Sequence, residues 1–99
     1  MKFAICNEVF EGWTIDESIR FVAETGYDAI EIAPFTLSQY VTEVPVAERH
    51  RIRAVADDNG IEISAVHWVL IKTEGMYMTH TDPAVRRKTA DYFCELVRF

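Results

Sequence analysis

Short apolar runs alternate along the chain with longer amphipathic segments, and this alternation gives the first indication of the fold. Three runs have the length and composition of strands: Lys2 to Asn7, Tyr27 to Ala33, and Ile61 to about Trp68. Each run is nearly continuous in apolar residues, which is typical of strands covered on both faces of a sheet. Pro34 should end the second strand, because proline cannot donate a hydrogen bond to a sheet ladder.

The first amphipathic segment has clear signals for the start and the end of a helix. Thr14 and Glu17 have the spacing of a capping box, in which each residue satisfies a backbone amide at the helix N-terminus. Gly26 readily adopts the left-handed conformation that ends many helices. The residues expected on the buried face of this helix, at helical spacing, are Ile15, Ile19, Val22 and Ala23.

Two further helices are predicted from similar signals. Pro45 suits the first turn of a second helix, and Asn59 with Gly60 should end it. Asp82 suits the N-cap of a third helix, with Pro83 in its first turn. The expected buried residues are Ile52, Val55 and Ala56 in the second helix, and Val85, Thr89, Tyr92 or Phe93, and Leu96 in the third.

The first two strand and helix pairs form a repeat. Gly26 and Gly60 are 34 positions apart, and each is followed by a strand that contains an Ile-Glu-Ile triplet. Strands joined by helical crossovers form a parallel sheet, so the predicted fold class is α/β. Three such units could begin a doubly wound sheet or a (β/α)8 barrel, but cannot close a barrel, which needs about 250 residues. No glycine-rich phosphate loop follows any strand, which weakens a dinucleotide-binding interpretation.

Glu31 and His67 are the polar residues that stand out in the predicted strands. Strand alternation places Ile30 and Ile32 on one face and Glu31 on the other. When Gly26 is aligned with Gly60, Glu31 is level with Ala65, and His67 lies on the same face near the carboxyl end of its strand. Ligands bind at that end in both barrels and open α/β sheets. An ordinary structural role is the alternative for each: an internal ion pair for Glu31, and a satisfied structural histidine for His67.

Composition narrows the classes of partner. The chain has 99 residues, enough for one small domain over residues 1–99, and a formal net charge of −6. A surface of that charge repels nucleic acid, and no segment is long and apolar enough to span a membrane. The first residues lack the apolar run of a signal peptide, so we expect a cytoplasmic protein with reduced cysteines at Cys6 and Cys94.

Several segments together resemble the N-terminal three β/α units of the xylose isomerase-like TIM-barrel superfamily, the sugar phosphate isomerase/epimerase group. The resemblance covers nearly the whole chain, and the segments that carry it are MKFAICNEVF, GYDAIEIAPFTL, GIEISAVHWVL and THTDPAVRRKTADYF. Each segment is weakly specific alone, and the set is moderately specific. The implied fold is the first three β/α units of a (β/α)8 TIM barrel, incomplete in this chain.

The resemblance implies a metal-assisted proton transfer next to the carbonyl of a sugar or sugar phosphate. Members of the group hold a divalent metal (Mn, Mg, Co or Zn) through residues of later strands, so no metal is expected in these 99 residues. The residues of this chain would form the part of the barrel mouth that contacts the substrate. The expected substrate-binding residues are Glu8, Glu31, His67 and Trp68, with Asn7, Pro34 and Phe35 nearby. Trp68 would either flank the pocket or pack on the helical layer, and its parity in the strand favours the helical layer.

Two other functions stay open. In apurinic endonucleases of the same superfamily a histidine at the end of strand three ligates zinc, and His67 could match that position. The chain could instead be a non-catalytic α/β module that binds a partner, or itself, through uncovered sheet edges. Because a barrel active site needs groups from several strand ends and only three of eight strands are present, we expect a fragment that is inactive alone.

Overall fold

A parallel sheet of three strands forms the centre of the computed structural model, which describes residues 1–99. Strands and helices alternate in the order β1 (Ala4–Cys6), α1 (Ile15–Glu24), β2 (Ala29–Ile32), α2 (Val46–Asp58), β3 (Glu62–Val66) and α3 (Pro83–Arg98). The strands are parallel in the order β1-β2-β3, which confirms the predicted α/β class. None of the helices is long and apolar enough to cross a membrane.

The predicted helix ends are confirmed at α1 and α3, whereas Pro45 is the N-cap residue of α2 and lies just before its first turn. The Thr14 hydroxyl accepts a hydrogen bond from the Glu17 amide at 3.2 Å, and the Glu17 carboxylate accepts one from the Thr14 amide at 2.8 Å. The bond from the Thr14 amide, and a second one that the Thr14 hydroxyl donates to the same carboxylate at 2.7 Å, lower the pKa of Glu17. Gly26, with a φ of 87°, has the left-handed conformation expected beyond α1. At α3, the Asp82 carboxylate accepts a hydrogen bond from the Ala84 amide at 2.8 Å.

The hydrophobic core lies between the helices and one face of the sheet. Ile30 and Ile32 are buried there, as their alternation with Glu31 predicts. The helix residues that pack against them are Ile15, Ile19 and Val22 of α1 and Ile52 and Ala56 of α2. A second, smaller cluster joins α3 to the segment before α2: Val41, Tyr92 and Leu96 are buried, and the Tyr92 hydroxyl accepts a hydrogen bond from the Val41 amide.

The opposite face of the sheet is not covered by a helix. Ala4 and Ala65 are exposed on it, and Glu31 of the central strand is partly exposed. This face is therefore the one on which a carboxylate can remain hydrated without a partner in the core.

The strands are shorter than the sequence predicts. β3 ends at Val66 instead of about Trp68, because Trp68 has a φ of 55° and leaves the extended conformation. Ile30 is level with Ile63 and Glu31 with Ala65, so Ser64 forms a bulge without a partner on β2. The predicted alignment of Glu31 with Ala65 is confirmed.

Candidate functional site

Glu31 and His67 meet on the uncovered face, at the carboxyl end of β2 and β3. The His67 amide donates a hydrogen bond to the Ile32 carbonyl at 2.9 Å, which holds His67 beside β2 although β3 has ended. Its ring nitrogen Nδ1 lies 3.5 Å from Oε2 of Glu31. The side chain of His67 is 49% exposed and that of Glu31 is 34% exposed, so solvent and small molecules can reach both.

Cys6, at the end of the first strand, lies on the same face of the sheet as Glu31 and His67. It is level with Glu31 on β1, so the two side chains share the uncovered face. Burial raises the pKa of the Cys6 thiol, and the carboxylates of Glu8 and Glu31 raise it further, while the amides of Glu8 and Asn7 act in the opposite direction. A thiol with a raised pKa is mostly protonated at neutral pH, so Cys6 is a poor nucleophile and a poor metal ligand here.

Asn7 fixes the ends of β1 and β2 relative to each other. It is 5% exposed, and its Oδ1 atom accepts a hydrogen bond from the buried amide of Ala33 at 2.8 Å. Its Nδ2 atom donates to the hydroxyl of Thr36 at 2.8 Å. Asn7 is therefore a positioning residue, and both of its polar groups are occupied within the protein.

Trp68 does not pack on the helical layer, and that prediction is wrong. The indole is 48% exposed and lies edge-on to the His67 ring, with the ring centroids 5.4 Å apart. The strand parity from which its position was predicted ends at Val66, since the backbone turns at Trp68. The indole therefore lies next to His67, where the chain leaves β3, and packs against the imidazole.

The remaining predicted residues lie in different environments. Glu8 lies in the short 3-10 turn that follows β1 and is partly exposed. Its carboxylate lies close enough to Cys6 to affect the thiol pKa, and Glu31 does the same from β2. His50 on α2 and His80 in the loop before α3 are exposed and lie outside this pair.

A lysine that the sequence analysis does not identify also lies at this end of the sheet. Lys72, in the loop between β3 and α3, places its Nζ atom 5.0 Å from the centroid of the Phe35 ring. Lys72 and Phe35 line a cleft with Glu8, Glu11 and Trp13 from the loop after β1. The sequence carries no signal for this contact, because it depends on the course of a long loop that has no periodic pattern.

The donor atoms present do not make a complete metal site. Glu31 and His67 form a pair, and no group of three or more His, Cys, Asp or Glu side chains is placed to hold an ion. Zinc in proteins takes four ligands in structural sites and three protein ligands in catalytic ones. The residues of this chain therefore do not fit the divalent metal that the family resemblance implies, and any such ion needs further ligands.

Comparison of the chain with protein-family models, with curated proteins and with solved structures found no significant match.

Proposed function

We propose that these three β/α units are part of a larger (β/α)8 barrel of the xylose isomerase-like type, and that they form the substrate side of a sugar or sugar-phosphate isomerase or epimerase. The observation that carries the proposal is the Glu31 and His67 pair, with Nδ1 and Oε2 3.5 Å apart on the uncovered sheet face. The pair lies at the carboxyl ends of parallel strands, where barrels and open α/β sheets bind their ligands.

The shape of the sheet supports a larger barrel. Parallel sheets are found with both faces covered, yet helices cover only one face here, and both β1 and β3 have an unpaired edge. The radius of gyration is 14.6 Å, against about 13 Å for a compact domain of this length. Neighbouring strands would cover the face and both edges. The bare edges also fit the alternative of a module that associates with itself or with a partner.

His67 is the residue best placed to contact a substrate. Its Nδ1 atom faces the Glu31 carboxylate, and its Nε2 atom forms no hydrogen bond with another residue of the chain. A carboxylate beside one ring nitrogen orients the imidazole and favours the form in which the other nitrogen can accept a proton. In this arrangement Nε2 accepts a hydrogen bond from a sugar hydroxyl, or a proton from the carbon next to a carbonyl, and Glu31 is the positioning residue.

A divalent metal, where one is bound, would polarise the substrate carbonyl. Its ligands would come from later strands, since this chain offers only two adjacent donors. The Trp68 indole lies edge-on to His67 and contacts one side of the imidazole.

Replacement of His67 by alanine tests this assignment in the completed barrel, meaning these 99 residues joined to the remaining β/α units. We expect turnover to fall by about ten-fold or more with metal content unchanged, because a positioning or proton-transfer group is lost. Steady-state kinetics and metal analysis measure the two quantities. His50→Ala is the matched control, because His50 is exposed on α2, away from the strand ends. Unchanged turnover in His67→Ala would show that His67 has only a structural role.

A second function, metal-dependent phosphodiester hydrolysis like that of apurinic endonucleases, is favoured by the same free Nε2 atom. A histidine that ligates a metal commonly has its other ring nitrogen beside a carboxylate, as His67 has Glu31. The His67→Ala experiment separates the two functions, because a stoichiometric loss of metal indicates the ligand role. The net charge of −6 favours the isomerase or epimerase, since it opposes the approach of DNA.

A further inference from the structure

The loops that follow the three strands enclose a cleft of about 460 Å³. The loop after β1 contributes Glu8, Glu11 and Trp13, the loop after β2 contributes Phe35, and the loop after β3 contributes Lys72. With Phe10, which also lines it, the cleft thus brings together two carboxylates, three aromatic rings and one ammonium group. It lies at the same end of the sheet as Glu31 and His67, so a molecule bound near that pair would extend toward it.

Lys72 is the only basic residue that lines the cleft, and its charge is not neutralised within the chain. Its Nζ atom lies over the Phe35 ring and within 4.0 Å of no carboxylate, although Glu8 and Glu11 line the same cleft. The backbone of its loop is held near it, since the Lys72 carbonyl accepts a hydrogen bond from the Gln39 side chain at 3.1 Å. An ammonium group over an aromatic face retains its ability to donate hydrogen bonds to an anion.

We propose that this cleft binds a polyhydroxylated small molecule with one anionic group, a sugar phosphate or a sugar acid, and that Lys72 binds the anion. The inference rests on the proposed function and narrows its substrate class. The carboxylates of Glu8 and Glu11 accept hydrogen bonds from hydroxyl groups, and they repel the anion from every position except that beside Lys72. The indole of Trp13, which is 48% exposed, offers an apolar surface to the carbon skeleton.

The charge pattern discriminates among related ligands. A neutral sugar gains less from Lys72 than an anionic one, because its hydroxyl accepts a hydrogen bond from the ammonium group but carries no opposite charge. An amino sugar would pair with Glu8 or Glu11 but be repelled by Lys72. The affinity of the cleft should therefore be higher for the anionic sugars than for the neutral sugar.

The test is a titration of the isotope-labelled 99-residue chain, followed by NMR, with four probes: glucose-6-phosphate, gluconate, glucose and glucosamine. The two anionic probes should bind more tightly than glucose and shift the amide signals of residues 8–13, 35 and 72. Lys72→Gln should weaken anion binding by about ten-fold, as expected for the loss of one charge-assisted hydrogen bond, and Lys72→Arg should retain it. The sugar phosphate and the acid, compared directly, show which anion the cleft prefers.

Lys2→Gln is the matched control, because Lys2 pairs with Glu62 at 2.8 Å away from the cleft. Circular dichroism confirms that each variant is folded. The proposal would be overturned if glucose bound as tightly as the sugar phosphate, or if glucosamine bound more tightly than the anionic probes. It would also be overturned if no probe bound, or if Lys72→Gln had no effect on binding. These outcomes are distinct from a failure of the proposed function. If the chain binds anions at Lys72 but the completed barrel catalyses no isomerisation, only the proposed reaction is refuted.

Discussion

Ile30→Ala should destabilise the chain by about 2–5 kcal/mol, the range for removing a large aliphatic side chain from a packed core. Ile30 is fully buried in the central strand and packs with residues of both α1 and α2. The shorter side chain leaves a cavity that rigid neighbours on two helices cannot close. Because a domain of this size has a total stability of about 5–15 kcal/mol, the variant should lose a large fraction of its free energy of unfolding. Urea denaturation followed by circular dichroism measures the loss.

Two further variants make this experiment specific. Ile30→Val removes a single methylene group and should cost about 0.5–1.5 kcal/mol. Ile71→Ala removes the same atoms as Ile30→Ala from a loop residue that is 40% exposed, and should change stability by less than about 0.5 kcal/mol. A loss for Ile71→Ala equal to that for Ile30→Ala would mean that the helix-covered face of β2 is not the core.

Asn7→Ala should destabilise the chain by about 1–3 kcal/mol, the cost of leaving a buried polar group without its partner. The orphaned group is the amide of Ala33, a fully buried residue that donates to Oδ1 of Asn7. The same change frees the end of β1 from that of β2, so ligand binding at the strand ends should also weaken. Denaturation and titration with the sugar phosphate measure the two effects.

Thr36→Val is the matched control for Asn7→Ala. It removes the hydroxyl that accepts a hydrogen bond from Nδ2 of Asn7 and donates one to the Ala33 carbonyl at 2.7 Å, but leaves the Ala33 amide paired. Thr36 is exposed, so water can take its place beside Nδ2 and the loss should stay below about 1 kcal/mol. If Thr36→Val cost as much as Asn7→Ala, the Asn7 to Ala33 hydrogen bond would not be the main contribution.

Local signals were sufficient to predict the elements of the fold. The capping box at Thr14 and the turn at Gly26 depend on residues close together in the sequence, and the structure confirms both. The level position of Glu31 and Ala65 was also predicted from the 34-residue repeat, and it holds after the bulge, whereas before the bulge Ile30 is level with Ile63 rather than with its repeat equivalent Ser64. These features require no knowledge of how the long loops run.

Features that depend on contacts between distant loops could not be predicted. The role of Asn7 depends on the Ala33 amide, 26 positions away, and an asparagine at a strand end has many possible partners. The contact of Lys72 with Phe35 joins loops after different strands. The Trp68 prediction failed because strand alternation was extended past Val66, where the backbone enters the left-handed region. Alternation holds only while the backbone is extended.

Solvent deuterium incorporation by the completed barrel tests the central claim most directly. A panel of ketoses and sugar phosphates is incubated in deuterated water with the wild-type barrel and with its His67→Ala variant, and the recovered sugars are analysed by mass spectrometry and NMR. Proton transfer next to a carbonyl predicts deuterium at that carbon with the wild-type barrel and about ten-fold slower incorporation with the variant. Recovery of every sugar without deuterium, together with cleavage of abasic DNA by the same barrel, would contradict the proposed function.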